Sequence, residues 1–198
     1  TSVRHKGSSD KSSGSAGSFI MLLGAYEIFL DMLKNNWVPQ EVPLQKDVEM
    51  WGGDTLTDTE RQVYQRSLAF VSNLDGLQTN NLASNIIRHI TSPEIVLAIV
   101  RQTFEEALHV QSYAAMIEAL SLDPEDIYGL YRKDKSLYEK NKQVLQAVSK
   151  ISSPTFKTGT FETDQLFLEA CIGNVILEGI YFYSAFLIFY NFKRHNKM

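Results

Sequence analysis

A glutamate and a histidine three positions apart, Glu106 and His109, are the residues of this sequence best suited to bind a metal ion. Tyr113 follows four positions later, and residues three or four apart lie on one face of an α-helix. A carboxylate and an imidazole held that close together can bind one hard or borderline metal ion. The spacing therefore predicts a polar ladder along one helix, with a phenol one turn beyond the metal. Because Glu-x-x-His also occurs by chance on many helix surfaces, the prediction depends on further ligands from other helices.

Two more carboxylates, Asp75 and Glu178, lie within long apolar runs that are predicted to be helical. A carboxylate in apolar surroundings is costly unless something compensates its charge. A four-helix dimetal carboxylate site takes one Glu from each of two helices and a Glu-x-x-His from each of two others. Asp75 and Glu178 fit the first two positions. Two interpretations without a metal stay open: Asn174 satisfies Glu178, and Asp75 makes a local polar contact beside Gly76.

The elements that must position these side chains are long helices. Pro93 and Pro124 each follow a capping residue, as is typical of a helix start, and Thr57-Asp-Thr-Glu60 is a capping-box pattern. No segment alternates with period two for long enough to predict a strand, so an all-α bundle is expected. The predicted helices are 19–36, 57–90, 93–120, 124–150 and 163–191. Residues 1–18, rich in Ser and Gly, are predicted to be a flexible or linker-like tail before a single helical domain, 19–198.

Composition excludes several classes of protein. The net charge of -4 gives no reason to expect a nucleic-acid or acidic-membrane partner. A single cysteine, Cys171, cannot form an internal disulfide, which favours a reducing, cytoplasmic location. The uncharged stretch 179–190 has only 12 residues, whereas a helix that spans a membrane needs about 20 apolar residues. A buried core helix is therefore predicted there.

Together these stretches resemble the small, radical-generating subunit of class I ribonucleotide reductase, a family of ferritin-like dimetal proteins. The similarity runs in order through residues 19–198. The matching stretches are Asn35-Asn-Trp37-Val-Pro, Trp51 before Leu56-Thr-Asp-Thr-Glu60, Arg101-Gln-Thr-Phe-Glu-Glu106-Ala-Leu-His109, Glu118-Ala-Leu-Ser-Leu-Asp-Pro-Glu125, Leu177-Glu178-Gly-Ile-Tyr-Phe-Tyr and the closing 192–198.

The resemblance implies a ligand set, a radical site and a partner. Tyr113 falls where most of the family carries a tyrosyl radical, and Trp37 matches the tryptophan that begins radical transfer. The radical, formed at a dimetal–oxygen centre, would serve a large catalytic subunit that reduces ribonucleotides to deoxyribonucleotides. Two iron ions are expected, with manganese the alternative, and a homodimer is expected. The implied metal ligands, with Glu106 bridging the two ions, are Asp75, Glu106, His109 and Glu178.

The family's second Glu-x-x-His does not occur in these 198 residues. The expectation is therefore that the chain is a fragment, a processed or engineered piece, or a split subunit that a second chain completes. Alone, it is expected to bind metal weakly or at one site. Two other functions remain as alternatives. One is a different dimetal-carboxylate oxidase or oxygenase, which would use a substrate cavity. The other is a non-catalytic, scaffold-like relative.

Overall fold

The computed structural model describes the backbone of residues 15–198 and the side chains of residues 23–140, 142, 146 and 148–198. Within this range every regular element is a helix, as predicted. The helix α1 begins at Ser15, inside the predicted tail, and residues 1–14 of that tail lie outside the described residues. The helices are α1 (Ser15–Lys34), α2 (Gln45–Gly52), α3 (Asp58–Asn81), α4 (Pro93–Ala119), α5 (Pro124–Lys133), α6 (Lys135–Ser149), α7 (Phe161–Ile176) and α8 (Tyr183–Arg194).

The capping box predicted at the start of α3 is confirmed. The hydroxyl of Thr57 accepts a hydrogen bond from the Glu60 amide at 3.2 Å, and the Glu60 carboxylate accepts one from the Thr57 amide at 2.8 Å. The helix then continues beyond Asn81 as a π-helical turn, Leu82–Ile86, and a 3₁₀ turn, Ile87–His89. Its full extent therefore agrees with the predicted 57–90.

The predicted helix 124–150 is wrong in one respect, because it is divided at Asp134. The Asp134 backbone is extended, and its carboxylate accepts hydrogen bonds from the amides of Ser136 and Leu137, which caps the start of α6. Arg66 of α3 forms an ion pair with the same carboxylate. The break thus fixes the corner between α5 and α6 against α3. The short helix α2 was not predicted.

The centre of the molecule is α3, whose side chains pack into hydrophobic clusters on several sides. Leu68, Ala69, Val71 and Leu74 are completely shielded from solvent. The first two belong to a cluster with residues of α4 and α8, and the other two to a cluster with residues of α6, α8 and the turn before α8. Asp75 follows directly on this buried run, so the packing of α3 carries a carboxylate into the core.

The helices α7 and α8 form one long rod, joined by a π-helical turn, Leu177–Phe182. The prediction of a buried core helix is wrong for one side of this rod, because only the side that faces α3 and α6 is covered. Ile172, Val175, Ile180 and Leu187 are exposed on the other side. By length and composition the rod Phe161–Arg194 is the described helix that qualifies as a membrane span, and only 17% of its most apolar window is buried.

Candidate metal centre

The structure brings Asp75, Glu106 and His109 together between α3 and α4. The imidazole Nδ1 of His109 lies 3.1 Å from Glu106 Oε2 and 3.4 Å from Asp75 Oδ1. One potential ligand atom from each of the three residues lies within 4.8 Å of the others. Both carboxylates are buried, and His109 is half-buried. The Glu-x-x-His spacing thus does place its carboxylate and imidazole side by side, and α3 supplies a second carboxylate to the same point.

Glu178 lies next to this group but outside the 4.8 Å cluster. It is carried by the π-helical turn between α7 and α8, and such turns occur frequently at functional sites. Its Oε1 accepts hydrogen bonds from the amide of Gln78 at 2.8 Å and from the amide of Gln102 at 3.3 Å. The Gln78 amide also donates to Asn174. The half-buried Glu178 side chain therefore faces α3 and α4 rather than solvent.

Burial and crowding of negative charge control the ionisation of the carboxylates. Burial raises the pKa of Glu106, and the hydrogen bond to His109 opposes that rise. Burial, followed by the charge of Glu106, raises the pKa of Glu178 to about 7. Burial disfavours the charged form of His109, but hydrogen bonds to Asp75 and Glu106 outweigh this effect and raise its pKa to about 10. In the metal-free site the imidazolium is therefore the cation that balances the carboxylates.

The donor set fits a metal ion. Within the described part of the chain, Asp75 Oδ2 is a buried oxygen without a hydrogen-bond partner. Such an atom is costly unless a cation or a donor meets it. Carboxylate oxygens with one imidazole nitrogen are ligands that iron and manganese both accept. A metal at this point would satisfy the unpartnered oxygen and replace the proton on His109.

Tyr113 lies one turn beyond His109 on α4, between the two hydrophobic clusters that pack around α3. It is half-buried. Burial and then the charge of the neighbouring Asp75 raise the pKa of its phenol. The phenol thus stays protonated at neutral pH and sits beside the carboxylate cluster.

Trp37 lies against His109 on the side of α1. The two rings stack with their centroids 6.1 Å apart and an interplanar angle of 28°. Trp37 is half-buried. This contact makes His109 a direct link between an aromatic ring near the surface and the carboxylates of the core.

Gln78 and Gln102 also belong to the site, although neither is among the predicted ligands. Gln78 follows Asp75 by three positions and Gln102 precedes Glu106 by four, so each shares a helix face with a predicted ligand. That spacing could have identified them. Glutamines are common on helix surfaces, however, and only the fold places the π-helical turn before α8 close enough to α3 and α4 to give these two a shared acceptor. Asn174, considered earlier as a partner of Glu178, contacts it through Gln78.

Metal binding at this site should release protons, because a ligating histidine must be neutral. With its pKa near 10, His109 is protonated at neutral pH, and Glu178 is partly protonated. We expect Fe²⁺ binding to release about one to two protons near pH 7 and the affinity to rise with pH between about pH 6 and pH 8. Titration calorimetry in buffers of different ionisation enthalpy measures the proton count. An affinity that does not change over this range would contradict the prediction.

Comparison with known proteins gives a consistent result. The family described as "Ribonucleotide reductase, small chain" matches residues 23–198. The ribonucleoside-diphosphate reductase subunit beta of Chlamydia pneumoniae is 35% identical over 175 residues, which cover 88% of this chain and 51% of the relative. That of Treponema pallidum is 36% identical over 171 residues, covering 84% and 45%. The solved ribonucleotide reductase R2 subunit from Clostridium botulinum is 35% identical, with a TM-score of 0.77, and the match covers 88% of this chain and 53% of that one.

This similarity confirms the predicted ferritin-like helical bundle. The chain spans about half the length of the curated relatives described above.

Proposed function

Because the chain belongs to the ribonucleotide reductase small-chain family, we propose that it acts in a ribonucleoside-diphosphate reductase as the small, radical-generating subunit. In this role it generates and stores a tyrosyl radical on Tyr113 for the reduction of ribonucleotides to deoxyribonucleotides by a large catalytic subunit. The observation that carries the proposal is the convergence of Asp75, Glu106 and His109 at one buried point beside Tyr113. An all-α bundle with no metal-binding or catalytic role would not need three ionisable groups at one point between α3 and α4.

The proposed cofactor is a pair of iron ions, with manganese the alternative for the same ligands. Asp75, Glu106 and His109 would hold one ion. Glu106 and Glu178 would contribute to the second, because Glu178 lies next to Glu106. The second Glu-x-x-His would come from polypeptide beyond these 198 residues, on the same chain or on a second one.

When bound, the metal pair supplies the O₂-dependent oxidising power that a phenol requires. The chain's own residues determine which side chain is oxidised and where its proton goes. Burial keeps the Tyr113 phenol protonated, so the loss of its electron must be accompanied by the loss of its proton. The Asp75 carboxylate beside the phenol is the group placed to accept that proton. The hydrophobic clusters around Tyr113 limit the access of water and reductants to the half-buried ring, which would protect the stored radical.

Trp37 is the proposed start of radical transfer to the large subunit. Its stacking contact with His109 connects it directly to one of the proposed metal ligands.

The proposed partners are a large catalytic subunit and a second copy of the small subunit, and the proposed location is the cytoplasm.

The test is reconstitution with Fe²⁺ and O₂ together with the polypeptide that carries the second Glu-x-x-His. We expect two irons per site, a tyrosyl radical by electron paramagnetic resonance, and deoxyribonucleotide formation once the large subunit is added. Two bound irons without a tyrosyl radical would favour another dimetal-carboxylate oxidase or oxygenase. A protein that binds no metal and forms no radical, yet still associates with the large subunit, would favour a scaffold-like relative.

A further inference from the structure

The backbone around Trp37 has no regular helix to hold it. The helix α1 ends at Lys34, and the next element is the 3₁₀ turn Pro39–Glu41. Trp37 lies in the short connection between them, where residues 36–38 belong to no helix and Val38 has an extended backbone. A ring on such a segment would sample many positions unless another contact held its neighbours. Its stacked position on His109 therefore requires an anchor outside the connection itself.

Arg101 supplies contacts at this point. Its Nη2 donates to the side-chain oxygen of Asn36 at 2.8 Å and to the Met32 carbonyl at 3.3 Å. The Met32 carbonyl belongs to the last turn of α1, where carbonyls lack partners within the helix. The guanidinium also pairs with Glu105 and lies over the Phe104 ring, 4.8 Å from its centroid. One side chain thus connects the end of α1, and the residue before Trp37, to α4.

The position of the Arg101 guanidinium does not satisfy all of its hydrogen-bond donors. Only 8% of Arg101 is exposed, and its Nε is a buried donor without a partner among the described side chains. Buried unpaired donors are rare and call for an explanation. The unpartnered Nε is explained if the guanidinium is held where it contacts Asn36 and the Met32 carbonyl, and not where every donor would have an acceptor.

We propose that Arg101 is a positioning residue that holds the Trp37 ring on His109. Arg101 and His109 both project from α4, so a single rigid helix sets the position of Asn36 and of the ring that Trp37 contacts. The clamp fixes the distance between the two rings across a connection whose helix-type backbone hydrogen bonds to α1 end at Asn36. Its importance for radical transfer rests on the function proposed above, whereas the clamp itself does not.

The experiment reads the environment of Trp37 directly in the full chain. Trp51→Phe leaves Trp37 as the single tryptophan. In that background, Arg101→Gln and Asn36→Ala should each cause loss of the near-UV circular dichroism band of the stacked ring. Each should also raise the acrylamide quenching constant of Trp37 by about twofold or more, since the ring gains motion and solvent access. Asn36→Asp retains the oxygen acceptor and should preserve both signals.

The matched control is Arg61→Gln. Arg61 also donates to backbone carbonyls, those of Trp51, Gly53 and Leu56, so its loss should lower thermal stability without changing the Trp37 signals. The double variant Arg101→Gln/Asn36→Ala should show no more change than Arg101→Gln alone, because the contact that Asn36→Ala removes is already lost in Arg101→Gln. Unchanged Trp37 signals in a folded Arg101→Gln protein would overturn the clamp. Equal changes in Arg61→Gln would also overturn it, since general loosening would then be the cause.

A second measurement separates the clamp from the proposed function. In the reconstituted reductase, Arg101→Gln should retain the tyrosyl radical and lose most deoxyribonucleotide formation. If the wild-type protein forms no radical, the proposed function fails, but the spectroscopic result for Trp37 still decides whether Arg101 is a clamp. If Arg101→Gln changed the Trp37 signals but kept full catalytic activity, the reaction would not depend on the position of Trp37 that Arg101 maintains.

Discussion

Replacement of Tyr113 by phenylalanine should abolish the tyrosyl radical and leave metal binding nearly intact. The substitution removes a single hydroxyl from a ring that packs between two hydrophobic clusters, so the fold and the neighbouring ligands should be preserved. Phenylalanine is far harder to oxidise than tyrosine and has no acidic proton to lose to Asp75. The radical signal should therefore disappear from the electron paramagnetic resonance spectrum of the reconstituted protein. Metal content by elemental analysis should stay at the wild-type value.

The matched controls for this experiment are Tyr181→Phe and Tyr183→Phe. Tyr183 is 59% exposed, and Tyr181 packs at the edge of the cluster that contains Leu74. Neither ring is one turn from a proposed ligand on α4. Both variants should keep the radical. Survival of the signal in Tyr113→Phe, with its loss in one of these two proteins, would move the radical to that tyrosine.

The helices that carry the site could be predicted because their signals are local. The capping box at Thr57, the proline that begins α4 and the three-residue spacing of Glu106 and His109 each act within one turn of helix. Asp75 could be identified from its apolar surroundings, since a carboxylate within a buried run implies compensation. These features required no knowledge of how the helices pack.

Other features depended on contacts between distant segments and could not be read from the sequence. The break at Asp134 combines a local cap of α6 with an ion pair to Arg66 of α3, and of these only the cap has a signal in the local sequence. The amides of Gln78 and Gln102 meet at Glu178 only because the rod of α7 and α8 packs beside both α3 and α4. Apolar composition predicted that this rod is buried, but composition does not reveal which side of a helix is covered.

The organisation of α4 explains how one helix can serve several steps. In order along it lie the proposed clamp Arg101, the carboxylate Glu106, the imidazole His109 and the phenol Tyr113. The carboxylate and imidazole contact one another, and the phenol follows one turn later. A shift of α4 relative to α3 would therefore disturb the proposed metal site, the proposed radical site and the Trp37 contact together. The helix must be rigid, which its packing against α3 and α1 provides.

Replacement of Trp37 by phenylalanine should separate radical formation from radical use. The Trp37 ring contacts His109 from outside the cluster of carboxylates, so its substitution should leave the metal ligands and Tyr113 in place. The tyrosyl radical should form with wild-type yield. Phenylalanine cannot be oxidised by a tyrosyl radical, so deoxyribonucleotide formation with the large subunit should fall by about 100-fold or more, a loss of at least about 2.7 kcal/mol of transition-state stabilisation.

Trp51→Phe is the matched control, because the second tryptophan packs against Tyr64, with ring centroids 5.6 Å apart, and makes no ring contact with His109 among those described. This variant should keep both the radical and the activity. Binding of the large subunit should be measured for each protein, so that lost activity is not confused with lost association. Full activity in Trp37→Phe would show that radical transfer takes another route. Loss of the radical itself would instead assign Trp37 a role in forming the metal site, because the stacking contact would then be needed to hold His109 in its ligating position.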